Sequence, residues 1–150
     1  MKKIVFILVA VILSSCSNMK KIVRTNHSNL PTPIGPYSHS IAYNDLIFVS
    51  GQIGIDPKTN VLKEDIQAQT VQIFENLKVI LKDNHSDLNH VTKTTIFITD
   101  MNQFQVVNEI YGSYFKEGFP ARSTIQVVAL PKNASVEIEC IAVKNETSHF

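Results

Sequence analysis

The eight residues VEIECIAV, 136–143, constrain this chain's fold more than any other stretch. Strict alternation puts Val136, Ile138, Cys140 and Ala142 on one side of a strand, all of them apolar. The other side carries Glu137, Glu139, Ile141 and Val143, half acidic and half apolar. Such a strand needs cover on both faces. A domain of 150 residues has one core, with helices enough for one face of its sheet. The second face therefore predicts self-association, with Glu137 close to a subunit boundary.

The other elements fall into place around that strand. "KKIVRT" (20–25) reads as a short edge strand, and "NHSNLPTPIGP" (26–36) as a loop. Residues 38–43 and 46–50 form a hairpin about Asn44-Asp45, followed by a turn at "DPKTN" (56–60). Asp65 caps a helix running to about Asp83, with Ile66, Thr70, Ile73, Phe74, Leu77, Ile80 and Leu81 as its buried stripe. Residues 91–98, rich in β-branched side chains, predict a strand. Asp100 opens a second helix with Phe104, Val107, Ile110, Tyr111, Tyr114 and Phe115 on its apolar face. A strand over 123–130, with Ile125, Val127 and Ala129 inward, and the last strand (135–144) flank the turn "LPKNA". The order is ββαβαββ, a mixed α+β sandwich with two helices on one face of the sheet.

The first fifteen residues stand outside that domain. Lys2 and Lys3 precede an uncharged run from Ile4 to Leu13, and "LSSC" ends at Cys16. A basic start, a ten-residue apolar stretch and small residues before a cut describe an export signal, too short to span as a mature helix. "LSSC" resembles the lipobox of bacterial lipoproteins, which implies lipidation of Cys16 as the new first residue and a membrane anchor in the cell envelope. The expected layout is a signal peptide over 1–15, a tether over 16–19 and a domain over 20–150. "MKKIVF" at Met1 is echoed by "MKKIVR" at Met19, and initiation there would give a soluble cytoplasmic form.

Charge excludes one class of partner. Without Lys2 and Lys3, 12 of the 14 basic residues remain against 13 acidic ones, with no basic cluster beyond Lys20, Lys21 and Arg24. Nucleic-acid binding through bulk electrostatics is disfavoured. After Cys16 only Cys140 is left, on an apolar strand face, and it reads as a small buried hydrophobe. The five histidines show no ligand spacing, and no metal is expected.

Four stretches carry the chemistry: "IGPYS" (34–38), "FVSGQIG" (48–54), "FPARST" (119–124) and "VEIE" (136–139). In this order, with "KTTIFITDM" (93–101) and Val107-Asn108, they resemble the reactive intermediate deaminase family, RidA, also called YjgF. The resemblance covers roughly residues 20–144. It implies a chorismate-mutase-like fold, a homotrimer with clefts between subunits, and hydrolysis of reactive enamines and imines of the 2-aminoacrylate type to 2-keto acids and ammonia, without a cofactor. The matching residues are Arg122, Glu137 and Tyr37, with Ser50 and Gly51 lining the pocket and Asn108 in the same pattern. Thr124 stands where many deaminating members carry a cysteine.

The residue types suit that reaction on their own terms. A planar guanidinium grips a substrate carboxylate through two parallel hydrogen bonds. An imine carbon is already electrophilic, so a half-buried carboxylate that moves protons to and from water suffices. Glycine at 51 lets backbone approach a ligand. Glu139 shares a face with Glu137 and is an alternative acid; Ser50 can equally bond its own backbone, and Tyr37 can be an interface aromatic. A non-catalytic trimer binding small carboxylates, and a chaperone-like interaction protein, are the competing functions.

Overall fold

A computed structural model describes residues 21–145; Cys16, the apolar run before it and Met19 lie outside the described residues. The elements in chain order are Ile22–Thr25 (β1), Ser40–Tyr43 (β2), Leu46–Ile53 (β3), Ile55–Asp56 (β4), Val61–Leu62 (β5), Ile66–Asp83 (α1), Val91–Ile98 (β6), Phe104–Tyr114 (α2), Ala121–Gln126 (β7) and Val136–Val143 (β8). Six strands form one sheet in the order β1-β2-β3-β8-β6-β7. Only the β6–β7 pair is parallel; α2 supplies the crossover between them. β4 and β5 make a small ribbon around the 56–60 turn, which the sequence reading left without strands.

Helix α1 begins where expected, because the Asp65 carboxylate accepts from the Ala68 amide at 2.7 Å. Its predicted stripe is buried throughout, and Ile73, Phe74, Ile80 and Leu81 are fully enclosed. The helix stops at a left-handed His85 (φ 59°). There the His85 amide donates to Lys82 O and the Ser86 amide to Leu81 O, satisfying carbonyls that would otherwise be orphaned. Ser86 also donates to Val143 O at 2.7 Å, locking the helix end to β8. Helix α2 presents Val107 and Tyr111 to the core, with Phe115 buried just past its end, and Phe74 of α1 stacks on Tyr114 with centroids 4.3 Å apart.

Two expectations need correction. Asp100 caps only a 3₁₀ turn, Met101–Gln103, and the α-helix proper starts at Phe104. β7 occupies residues 121–126 instead of 123–130, because its only partner, β6, ends at Ile98 and offers nothing to pair with Val128 to Leu130. The orientation of β7 is also reversed. Register places Arg122, Thr124 and Gln126 beside Thr94, Ile96 and Ile98 on the helix-covered face, while Ile125 is 46% exposed on the other.

The last strand behaves as its alternation requires. Val136, Ile138, Cys140 and Ala142 are buried under the helices, and burial pushes the Cys140 thiol up to about 12, which makes it an inert hydrophobe. The opposite face is open and apolar. Tyr43, Leu46, Phe48 and Ile125 are each more than a third exposed there, beside Ile141 and Val143. Packed cores do not leave such a surface to water without a partner.

Candidate active site

The sheet sorts the site residues onto two sides. Arg122 stands opposite Thr94 in the β6–β7 register, on the helix-covered face. Its guanidinium carbon lies 4.7 Å from the centre of the Tyr111 ring and 5.8 Å from that of Phe104. Tyr111 is fixed in turn by a 2.9 Å hydrogen bond between its hydroxyl and Thr94 Oγ1. An aromatic face stabilises and orients the cation without consuming its N–H donors. No carboxylate among the described residues lies within ion-pair distance of Arg122. Asn108, Gly112, Phe119 and Pro120 complete a cleft of about 400 Å³ around it. The helix spacing of Asn108, Tyr111 and Gly112 puts all three on one side of α2. Thr124, two residues on, has a buried hydroxyl with no hydrogen-bond partner.

Glu137 belongs to the other face. It pairs with Phe97 of β6 and Ile53 of β3 in register, and it lines a cleft of about 200 Å³ with Ile34, Tyr37, Ser50, Gly51 and Pro131. Burial, reinforced by the like charge of Glu139, raises its carboxyl above the ordinary glutamate value. A carboxylate so placed takes up a proton more readily than one in water, as a proton-transfer group near neutral pH must. Glu139 itself is exposed, opposite Thr95, and lines no part of the cleft.

Gly51 owes its identity to Glu137. A Cβ at position 51 would strike the Glu137 carboxylate, 2.7 Å from its carboxyl carbon. β3 bulges between Val49 and Gln52 at this point, which turns Ser50 and Gly51 toward the cleft. Ser50 is committed to the backbone: its hydroxyl donates to Ser38 O at 2.7 Å and its amide to His39 O at 3.0 Å. Tyr37 is 41% exposed, and its hydroxyl accepts only a long contact from the Ile34 amide at 3.4 Å, so the phenol is available to a ligand.

The fold therefore gathers Arg122 with Asn108, and separately Tyr37, Ser50 and Gly51 with Glu137. One chain does not bring the cation and the carboxylate together. The sequence reading missed Tyr111 as the platform beneath Arg122, having counted it only in the apolar stripe of α2. Its hydroxyl was the available signal, since a buried tyrosine needs a polar partner. No group of three or more His, Cys, Asp or Glu among the described residues is arranged to hold a metal ion.

Comparison with known proteins shows the family of the chain. The family model described as endoribonuclease L-PSP matches residues 27–144. A RutC family protein of Pyrococcus horikoshii is 47% identical over 127 residues, 84% of this chain and 99% of its own. A protein of Salmonella typhimurium named 2-iminobutanoate/2-iminopropanoate deaminase is 41% identical over 129 residues, again 84% and 99%. The chain belongs to the RidA/YjgF family. Among solved structures of this RidA/YjgF fold, the YjgF gene product of E. coli matches with a TM-score of 0.78 at 38% identity, covering 82% of this chain and 99% of its own. The mixed sheet with two helices on one face is thus the RidA fold, and all four motifs that suggested the family fall within the matched residues.

Proposed function

We propose that this RidA-family chain is an enamine/imine deaminase that hydrolyses 2-imino acids to 2-keto acids and ammonia at sites completed between subunits of a homotrimer. The observation that supports this is the division of the site: a guanidinium without an acidic partner on one sheet face, and a carboxyl of raised proton affinity on the other. Neither half suffices for an imino acid, and the exposed apolar surface beside Glu137 supplies the area over which copies would associate. The curated relatives named as deaminases point to the same reaction.

In this reading Arg122 takes the substrate carboxylate as a two-pronged pair, and Glu137 of a neighbouring copy faces the imine. Glu137 accepts a proton from water as the water oxygen bonds to the imine carbon, and the C=N electron pair moves to nitrogen, which takes that proton. The resulting carbinolamine then loses its hydroxyl proton to Glu137, which passes it to the amine. The C–N bond breaks, C=O forms, and ammonia leaves. Water and the imine are consumed and no cofactor enters. Thr124 in place of the frequent cysteine does not obstruct this, because no step needs a thiol.

We place the protein in the cell envelope, lipidated at Cys16, on the strength of the ten uncharged residues and "LSSC" before the domain. The deciding experiment for the reaction follows ammonia and keto-acid release from a freshly generated 2-imino acid, comparing the wild type with Arg122→Ala. Acceleration by the wild type alone is expected. No acceleration by the wild type would refute the enzyme, and keto-acid binding without turnover would leave a carboxylate-binding trimer.

A further inference from the structure

The segment from Asn26 to Ser38, which carries Ile34 and Tyr37 to the Glu137 cleft, has no helix or strand to hold it. Two buried histidines hold its first half, while the Ser50 hydroxyl ties Ser38 at its end. His39 is 3% exposed and His27 5%. The His27 amide donates to His39 Nδ1 at 3.1 Å, so that nitrogen must carry a lone pair. His39 Nε2 lies 3.0 Å from Pro31 O, an acceptor, so Nε2 carries the proton and donates. The His39 amide donates to Asn26 Oδ1 at 3.1 Å. One neutral imidazole thus ties both ends of the first half of the loop to the start of β2.

His27 anchors the assembly to the helix layer. Its Nδ1 is 2.8 Å from Asp83 Oδ2, and its Nε2 is 3.2 Å from Ser40 Oγ. Asp83, His27 and Ser40 follow the order of a hydrolytic triad. Ser40, however, is 1% exposed and its oxygen also accepts from Asn84 Nδ2 at 3.0 Å, so no substrate reaches it. The chain of bonds is a scaffold, and its free end is the Tyr37 loop.

We propose that His39 is a positioning residue of the imine site, bracing the loop that brings Tyr37 to the Glu137 cleft only while its ring is neutral; this rests on the deaminase reading of that cleft. A proton added at Nδ1 would confront the His27 N–H, and the bond would be lost. The loop would then keep the Pro31 tie, the His27–Asp83 bond and the Ser50–Ser38 bond, and lose the brace between the His27 backbone and the His39 ring. Burial lowers the pKa of His39, with the Pro31 carbonyl opposing and His27 assisting, so the clamp is closed at neutral pH and opens on acidification. The titratable groups facing His39 are His27, with Asp83 of α1 behind it, and Tyr37 in the shared lining.

Two measurements on the full chain test this. Hydrogen exchange at the Tyr37 amide, corrected for its intrinsic pH dependence, is expected to accelerate as the His39 ring signals titrate; His39→Gln keeps a donor for Pro31, cannot ionise, and should abolish that acceleration. In turnover assays, wild-type kcat/KM should show, besides the fall from Glu137, a further step down of up to about tenfold as His39 titrates, and His39→Gln should lack that step. His39→Ala is expected to raise KM roughly tenfold at pH 8 with a smaller effect on kcat, and His39→Gln to recover most of it. Tyr37 protection that ignores the His39 titration, or a pH profile of the same shape in wild type and His39→Gln, would overturn the proposal. A wild type without turnover would instead refute the deaminase reading, and the exchange measurement alone would then decide the clamp.

Discussion

Arg122 and Glu137 owe their properties to different surroundings, and substitutions should separate them. Arg122→Lys keeps the charge but loses the planar fork and its seat on Tyr111; keto-acid affinity, read by calorimetry, should fall about tenfold or more. Glu137→Gln keeps shape and hydrogen bonding but cannot take a proton, so kcat should fall by around 10²-fold while keto-acid binding survives. Full activity in that variant would move the acid role to Glu139 or remove it. The same substitution has a consequence for stability. A carboxyl whose folded pKa is raised stabilises the fold below its unfolded value and forfeits that contribution as pH rises through the folded value. Glu137→Gln should therefore raise Tm at pH 8 relative to the wild type, and the difference should shrink as pH falls toward 4. An unchanged Tm difference across that range would contradict the burial of this carboxyl.

Helix α1 depends on its two ends as much as on its buried stripe. Asp65 accepts from the Ala68 amide, and Asp65→Ala should lower stability by about 1 kcal/mol in denaturant unfolding. At the other end His85 holds a left-handed backbone that glycine tolerates better, so His85→Gly should leave stability unchanged or raise it by up to about 1 kcal/mol. A marked loss there would mean that the imidazole contributes a contact outweighing the backbone strain. β3 shows a related coupling between element and site: its bulge at Ser50 and Gly51 gives Glu137 the room that any side chain at 51 would take.

Association of copies decides whether the two half-sites form one site. From a chain of 16.8 kDa, three copies lacking the first fifteen residues should give a particle of about 45 kDa by light scattering. Phe48→Lys, which charges the open face at a residue 42% exposed, should yield a folded monomer without deaminase activity. Arg122→Ala and Glu137→Gln chains, each inactive alone and refolded together in equal amounts, should regain about a quarter of wild-type activity, since a quarter of sites then combine both intact partners. No recovery would mean that each site lies within one chain. At the cell scale, mass spectrometry of the N-terminus from membrane and soluble fractions should find Cys16 lipidated. Five residues between anchor and domain would reach at most about 14 Å if extended, so such a trimer would lie close to the bilayer. Protein found only in the soluble fraction and starting at Met19 would refute the anchor.

Local pattern determined the elements and the family. Alternation in 136–143 settled which side of β8 is buried, and the cap at Asp65 with a 3.6-residue stripe settled α1, because both depend on neighbours within a few residues. The resemblance of the four motifs to the family pointed to Arg122, Glu137, Tyr37 and Gly51, residue types that suit the reaction. The facing of β7 was misread: its apolar residues look inward by composition, yet the register with β6 turns Arg122 and Thr124 to the helix side. Pairing with a strand 28 residues away is not encoded in β7's own alternation. The same is true of Tyr111 beneath Arg122, of the His39 clamp on Pro31, and of the separation of Arg122 from Glu137. Those relations are set by which strands lie side by side and which face the helices cover, and only the tertiary structure decides that.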